Sequence, residues 1–140
     1  MHFIMITVSV QVCALQQLGY LTRRLGTLST SLLTEPSLRL LDTVLSCLLS
    51  GSVSVRLAAA GCLRHLCAAV PAVLTPLIDK SVEALETYKS AQEAVSGYSG
   101  GLAALLGAVR SVSRRATFLT GLTPVYKTGC ASLFKLFMHL

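Results

Sequence analysis

The segment Gly97-Tyr98-Ser99-Gly100-Gly101 has the residue types of a nucleophile elbow, the G-x-S-x-G motif of serine hydrolases. In that motif a sharp turn from a strand into a helix exposes the serine hydroxyl beside the N–H groups that stabilise an oxyanion. Residues 86–96 do not read as an apolar strand, and no Asp or Glu follows Glu93 to complete a triad. Only His139 lies downstream. A serine hydrolase fragment using Ser99 is therefore an alternative hypothesis, and we assign no catalytic residue.

Cys62, His65 and Cys67 form a second group whose side chains could do chemistry, because thiolate and imidazole are zinc ligands. Structural zinc sites pair their ligands at spacings such as C-x2-C and H-x3-H, and neither spacing occurs here. We expect buried thiols, a partly exposed histidine, no metal and no cofactor. The chain has five cysteines, an odd number at irregular spacings, which indicates free thiols in a reducing compartment.

Four charged side chains are candidates for a partner-binding surface: Arg56, Arg64, Lys80 and Glu83. The two arginines could grip an acidic partner, and the simpler expectation is that they lie at the helix surface or cap neighbouring carbonyls. The segment Arg114-Arg115-Ala116-Thr117 resembles a basophilic kinase site, although matches of four residues are common by chance.

The composition favours an all-helical interaction module over a nucleic-acid-binding protein. Of 140 residues, 53% are hydrophobic and 13% charged, and the abundant Leu and Ala favour helix over strand. The net charge is +6, and four of its basic residues lie after residue 110, where there is no acid. Basic residues are not clustered on one predicted surface, so we predict no nucleic-acid partner. We also predict no small-molecule ligand.

Apolar spacing near 3.6 residues and turn residues predict where the helices begin and end. The first helix covers residues 4–25, with Gly26 after its last turn, and residues 27–35 read as a loop or short turn. Pro36 is expected in the first turn of the next helix, which Ser50-Gly51-Ser52 stops. The next three helices are predicted to run from Val53 to Pro71, from an N-cap at Thr75-Pro76, and from a capping box at Ser90-Ala91-Gln92-Glu93.

Three of these helices can be overlaid on one another. Leu18 and Leu21 match Leu63 and Leu66, 45 residues later, and Leu105 and Ala108 follow after a further 42 residues; Ala14, Ala59 and Gly101 match likewise. A period of 40–47 residues with two helices per unit is typical of HEAT repeats. We therefore predict antiparallel helical hairpins stacked as a short α-solenoid, an armadillo-like superhelix. Residues 1–110 would form the repeats, with a partial unit at 4–26 and two hairpins at 36–69 and 75–110. Residues 111–140 would form a basic, apolar tail that is atypical of the repeats. The sequence does not determine whether this tail is ordered or disordered.

Several segments resemble the HEAT-repeat-containing protein 5 family, over about residues 11–110. The resemblance implies a large cytosolic scaffold that accompanies clathrin-adaptor machinery at the trans-Golgi network and endosomes. It implies adaptor accessory proteins as partners, peripheral membrane association through those partners, and no catalysis. The segments that carry the resemblance are Val12–Gln16, Val55–Ala60, Cys62–Arg64, Leu74–Asp79, Glu93–Ser99 and Leu102–Gly107.

Two glycines depart from the family pattern. A tryptophan usually stands at the position of Gly61, and a phenylalanine at that of Gly100. Removing a large aromatic side chain from a core costs about 3–5 kcal/mol. Either the local packing has been redrawn or this piece is less stable than its relatives, and we expect a packing defect at Gly61, the centre of the helix that begins at Val53.

The two ends of the chain raise the question of targeting. Met1–Val12 is largely apolar, but it has no positive n-region and no small-residue cleavage site. This run is also shorter than the ~20 residues that span a bilayer, so a buried helix or strand is expected, with a cryptic targeting signal as the alternative. A further alternative is a membrane-associating peptide that acts through the apolar, cationic tail at 111–140.

Overall fold

The computed structural model describes the backbone of residues 2–116 and the side chains of residues 4–112. Every regular element in that part of the chain is helical and no strand occurs there, which confirms the predicted all-α class. The helices of residues 2–116 are α1 (His2–Leu25), α2 (Thr30–Thr34), α3 (Leu40–Ser46), α4 (Val53–Ala69), α5 (Leu74–Thr87) and α6 (Gln92–Ala116), with 3₁₀ turns at Gly26–Ser29, Cys47–Leu49 and Pro71–Val73.

Helices α1 and α4 lie side by side and run in the same direction. A Cβ placed on Gly19 of α1 would lie 3.1 Å from the His65 ring and 3.3 Å from the Cys62 backbone of α4. A groove between the two helices is lined by residues from Val12 to Tyr20 on one side and from Ser54 to His65 on the other. Because Gly19 lies beside Cys62 and His65 at one end, Ser54 at the other end of its stretch lies towards Val12, which requires a parallel arrangement.

On its other side α4 packs against α6, also in parallel. Gly97, near the start of α6, lies against the Arg56 side chain, and Gly107 lies against the guanidinium of Arg64. Because the residue numbers rise together along both helices, they point the same way. Helix α4 is therefore the middle member of a layer of three parallel helices.

The shorter helices α3 and α5 return the chain between members of this layer. Helix α5 packs against α6, and α3 with the 3₁₀ turn at Cys47–Leu49 packs against α4. Leu48 of that turn is fully buried, and its side chain reaches Gly101 of α6. The turn also contacts Gly97, where an added Cβ would overlap the Leu48 carbonyl oxygen. The missing side chains of these two glycines thus let α6 approach the turn closely.

The hydrophobic core is centred on α4, the middle helix of the layer. Leu63, Leu66 and Cys67 of α4 are fully buried, as are Leu77 and Ile78 of α5. They belong to one apolar cluster that also includes Leu105 and Ala108 of α6. Leu15 is the member of this cluster that α1 contributes as a buried residue, while Val8, Val12 and Leu18 are partly buried against it.

The predicted boundaries of α1 and α4 are right, as is the predicted stop at Ser50, whereas the predicted starts of α3, α5 and α6 are wrong. Gly26 follows α1 with a φ of +55°, as expected of a C-terminal glycine. The predicted loop at 27–35 is a 3₁₀ turn followed by α2. Pro36 does not start the next helix, because α3 begins at Leu40 after Arg39, whose φ is +44°. Since the backbone of Arg39 is in the left-handed conformation, residues 36–38 cannot continue through it into α3 as one regular helix.

Two predicted N-caps are also wrong. Helix α5 begins at Leu74, directly after the 3₁₀ turn that starts at Pro71, so Thr75 lies inside the helix. The Thr75 hydroxyl is buried with no hydrogen-bond partner among the described residues. Pro76 is tolerated there because its position in the first turn needs no N–H donor. Helix α6 begins at Gln92, which makes Ala91, not Ser90, the residue before its first turn.

Helix α6 continues to Ala116, beyond the predicted boundary at residue 110. The rest of the predicted tail, 117–140, lies outside the described residues. At the other end, the helical stretch Ile4–Thr34 is long and apolar enough to cross a bilayer by length and composition, with 11% of its most apolar window buried. Core helices and signal sequences share these properties, so this stretch does not locate the chain.

The expected core defect at Gly61 is not found. Gly61 is partly exposed, and a Cβ added there or at Gly100 would meet no atom within 4 Å. The reason is that Gly61 faces the groove between α1 and α4 and does not lie between packed helices. The unfilled volume exists, but it is an open surface groove.

Candidate functional site

The Arg56 side chain contacts both the turn before α4 and helix α6. It lies half-buried in the first turn of α4, and its Nη1 donates a hydrogen bond to the Ser50 carbonyl oxygen at 2.7 Å. Its Cδ packs over Gly97 of α6. The expectation that it caps a neighbouring carbonyl is confirmed. Arg56 therefore ties the turn before α4 to α6, and its guanidinium is already engaged.

Arg64 lies two turns further along the same side of α4. Eight residues separate it from Arg56, which is about 12 Å along a helix. Its side chain is exposed, and the guanidinium lies across Gly107 at 3.5 Å from where a Cβ would stand. Because Gly107 offers no side chain, the Arg64 guanidinium can pack against α6 at this position. Of the two predicted arginines, Arg64 is the exposed one.

Lys80 and Glu83 lie on α5, away from the two arginines in sequence and on a different helix. The Lys80 Nζ donates to Asp42 Oδ1 of α3 at 2.8 Å, and Arg39 Nε lies 3.7 Å from the other carboxylate oxygen. The hydrogen bond from Lys80, with its charge, holds the pKa of Asp42 below the ordinary value. Glu83 is exposed. The four predicted residues thus form two separate pairs of positions: the arginines on α4 beside α6, and Lys80 and Glu83 on α5, where Lys80 contacts α3.

A groove of about 620 Å³ lies between α1 and α4. Its lining contains no Lys, Arg, Asp or Glu, and its floor has the small residues Ala58 and Gly61. Burial, and then the charges of Arg23 and Arg64, lower the pKa of His65, so its imidazole is neutral near pH 7. The groove is therefore uncharged. It is lined by Val12, Leu15, Gln16, Gln17, Tyr20, Ser54, Leu57, Ala58, Gly61, Cys62 and His65.

The cysteine and histidine group does not form a metal centre. Cys62 and Cys67 are buried, and burial raises the pKa of each thiol to about 12. Five residues apart on a helix, they point about 140° away from each other. Among residues 4–112 no group of three His, Cys, Asp or Glu side chains is close enough to hold a metal ion. Both thiols are core side chains, as the sequence predicts.

Ser99 is exposed, but it lies within α6 and not at the turn from a strand into a helix. The nucleophile elbow depends on that turn, since it aims the hydroxyl at the oxyanion donors. The G-x-S-x-G match here instead places glycines against Leu48 of the 3₁₀ turn. His139 lies outside the described residues, and the side chains of the Arg114–Thr117 motif do too.

The groove between α1 and α4 was not predicted from the sequence. Its signal is weak: two adjacent glutamines on α1 and a glycine in an Ala-rich helix become neighbours only once α1 and α4 are placed in parallel. No protein-family model matches the chain, and no solved structure matches it.

Proposed function

We propose that this chain is a non-catalytic, protein-binding scaffold segment built from HEAT-type helical repeats. It would act in clathrin-adaptor-associated vesicle traffic between the trans-Golgi network, endosomes and plasma membrane. It would be cytoplasmic, held at vesicle surfaces by its protein partners, and it would need no cofactor. Different observations support the architecture and the cellular role.

The spacing of the parallel helices supports the repeat architecture. Gly19 meets Cys62 and His65, which lie 43 and 46 residues later in the chain. Arg56 meets Gly97 and Arg64 meets Gly107, at separations of 41 and 43 residues. These separations agree with the 45- and 42-residue offsets of the sequence overlay. In stacked repeats each unit contacts its neighbours, so equivalent helices lie side by side and point the same way.

The buried positions of α4 and α6 fit the same overlay. Leu63 and Leu66 of α4 are fully buried, and their counterparts Leu105 and Ala108 of α6 are fully buried too. Each of these two helices has a shorter helix before it in the chain that packs against it. The proposed repeat unit is a shorter helix followed by a longer one, and α3 with α4 and α5 with α6 both have this form.

The role in vesicle traffic rests on the resemblance of the sequence segments in α1, α4, α5 and α6 to the HEAT-repeat-containing protein 5 family. Arg64 is the residue through which we expect a partner to bind, since it is exposed and its guanidinium makes no ion pair among residues 4–112. An arginine with open donors suits a carboxylate on a partner, because its planar fork binds both oxygens.

Binding of purified clathrin-adaptor accessory proteins to the immobilised full chain tests this function. We expect saturable binding that Arg64→Glu weakens about tenfold or more, which corresponds to about 1.4 kcal/mol. Lys89→Glu is the matched control, because Lys89 is also an exposed cation but lies in the turn after α5. Circular dichroism of each variant checks the helix content. Absence of binding by the folded wild-type chain would overturn the trafficking role.

A further inference from the structure

We propose that the groove between α1 and α4 binds an extended peptide segment of another protein, a short apolar run with acidic residues at one end. The apolar run would lie along the groove, and the acidic residues would reach the arginines beside His65. The proposal deepens the proposed function, because it gives the chemistry of the partner that Arg64 would contact. It rests on that function for the expectation that the partner is a protein.

The groove has the length and the lining that a short extended peptide needs. Its wall on α4 runs from Ser54 to His65, which is about 16 Å along a helix. An extended chain rises about 3.3 Å per residue, so about five peptide residues fit along this wall. The floor is apolar and deep, since Leu15 is 6% exposed and Cys62 2%. The groove therefore accepts the side chains of one narrow segment.

Polar side chains on the walls favour a peptide over a lipid acyl chain. Gln16 and Gln17 line the groove on α1, and Ser54 lines it on α4. Amide and hydroxyl groups both donate and accept hydrogen bonds. An extended peptide has backbone N–H and carbonyl groups that these side chains can satisfy, whereas an acyl chain has none. A flat bilayer surface also does not reach a floor residue as buried as Cys62.

Three arginines stand at the His65 end of the groove. Tyr20 lines this end, and Arg24 lies over its ring at 5.7 Å and donates a hydrogen bond to its hydroxyl at 3.3 Å. Burial lowers the pKa of His65, and the charges of Arg23 and Arg64 lower it further, which places both guanidinium groups near this ring. All three arginines are exposed. This end of the groove is therefore cationic, although the groove itself is uncharged.

The other end of the groove has no matching charge. No Asp, Glu, Lys or Arg occurs between Phe3 and Thr22 of α1, and none occurs in the first three residues of α4. The ion pairs of residues 4–112 use Asp42 on α3, and none of them includes the three arginines. An arginine binds both oxygens of a carboxylate through its planar fork. The asymmetry therefore selects a segment that is apolar at one end and acidic at the other.

The position of the groove and its charge disfavour a further repeat and the chain's own tail as occupants. Leu57 lines the groove and lies half a turn around α4 from the buried Leu66, so the groove opens away from the core. A further repeat would continue the row of α6, α4 and α1 and lie beside α1, because stacked repeats contact their neighbours in line. Residues 117–140 include Lys127 and Lys135 and no acid, so they do not complement the three arginines.

Fluorescence anisotropy with two rhodamine-labelled peptides tests the groove. Each has about five leucine and alanine residues, with a pair of glutamates at the amino end of one peptide and at the carboxyl end of the other. We expect at least one of them to bind the full chain saturably, and at least tenfold more weakly with lysines in place of the glutamates. Gly61→Leu should weaken binding at least tenfold, because its side chain enters the open groove. Gly100→Leu is the matched control on α6, since a Cβ there also meets no atom within 4 Å, and it should bind like wild type.

Charge variants test the cationic end. Glutamines in place of the glutamates should weaken binding to wild type severalfold, and a chain with both Arg23→Gln and Arg64→Gln should bind the two kinds of peptide alike. Lys89→Gln removes an exposed cation in the turn after α5 and should keep the wild-type preference. Circular dichroism checks that each variant is folded. Equal binding of glutamate, glutamine and lysine peptides by wild type would overturn the proposal, as would unchanged binding by Gly61→Leu.

Two further measurements separate the groove from its alternatives. Flotation with phosphatidylserine vesicles that Gly61→Leu abolishes, without binding of either peptide, would show a bilayer as the occupant and overturn the peptide. Adaptor accessory proteins that bind Gly61→Leu as tightly as wild type would overturn the groove and support the trafficking role. Failure of those proteins to bind a chain that does bind a glutamate peptide would support the groove and overturn the trafficking role.

Discussion

Helices α1 and α4 carry similar apolar patterns and lie in very different surroundings. Helix α4 has α1 on one side, α6 on the other, and α3 with its 3₁₀ turn packed against it. Helix α1 packs mainly on α4, and side chains on its opposite side, such as Val10 and Leu21, are exposed. The overlaid positions show the difference directly: Leu66 of α4 is 0% exposed, and Leu21 of α1 is 52% exposed. The apolar stripe of a helix therefore does not show whether that helix is covered, because coverage depends on the neighbouring elements.

The largest expected effect is a difference between matched leucines. We expect Leu66→Ala to lower the free energy of unfolding by about 2–5 kcal/mol, because it leaves a cavity in the core. Leu21→Ala should change it by less than about 0.5 kcal/mol at concentrations where the chain is single. Urea unfolding followed by circular dichroism measures both. Similar losses in the two variants would mean that α1 is covered as fully as α4.

A pair of glycines gives the next effect, with opposite signs. Gly97→Ala should destabilise by about 1–3 kcal/mol, because the new Cβ overlaps the Leu48 carbonyl and α6 must shift. Gly61→Ala should stabilise by about 0.5–1 kcal/mol, since alanine favours the helix and the groove is open at that point. Thermal unfolding of each variant beside wild type provides the measurement. Destabilisation by Gly61→Ala would contradict the open groove between α1 and α4.

The smallest expected effect is a pH dependence of the contact between α1 and α4. The folded pKa of His65 is lowered, by burial and then by Arg23 and Arg64, from an ordinary value of 6.5. Below pH 6.5 the unfolded chain therefore binds a proton more readily than the folded one, and stability falls as the pH falls through this range. His65→Gln should reduce the loss between pH 7.5 and pH 5.5 in urea titrations. An unchanged loss in that variant would assign it to other groups.

The helical class, the positions of α1 and α4, and the buried thiols could be predicted from the sequence because each depends on local residue patterns. Apolar spacing located Leu63 and Leu66, and Gly26 marked the end of α1. The starts of α3 and α5 could not be predicted in the same way. Arg39 adopts a left-handed conformation that its residue type does not favour, and the 3₁₀ turn at Pro71 runs directly into α5 ahead of the apparent cap at Thr75.

The role of the glycines needed the packed structure. Gly61 and Gly97 both have low helix propensity, yet one borders an open groove and the other lets a backbone carbonyl approach. The candidate arginines show the same limit. Arg56 and Arg64 both lie on the side of α4 that faces α6. They differ because the Ser50 carbonyl oxygen lies within hydrogen-bond distance of Arg56. Contacts between distant segments decide these cases, and no local pattern encodes them.

The shared direction of α1, α4 and α6 also bears on how fast the chain folds. Residues that meet across this layer, such as Gly19 with His65 or Arg64 with Gly107, are more than forty positions apart. Two antiparallel helices joined by a short turn meet after far fewer residues. The entropy of closing each long loop must be overcome before its contacts contribute. We therefore expect folding to be slower than in an antiparallel bundle of the same helix content, with α4, which contacts both neighbours, ordered early.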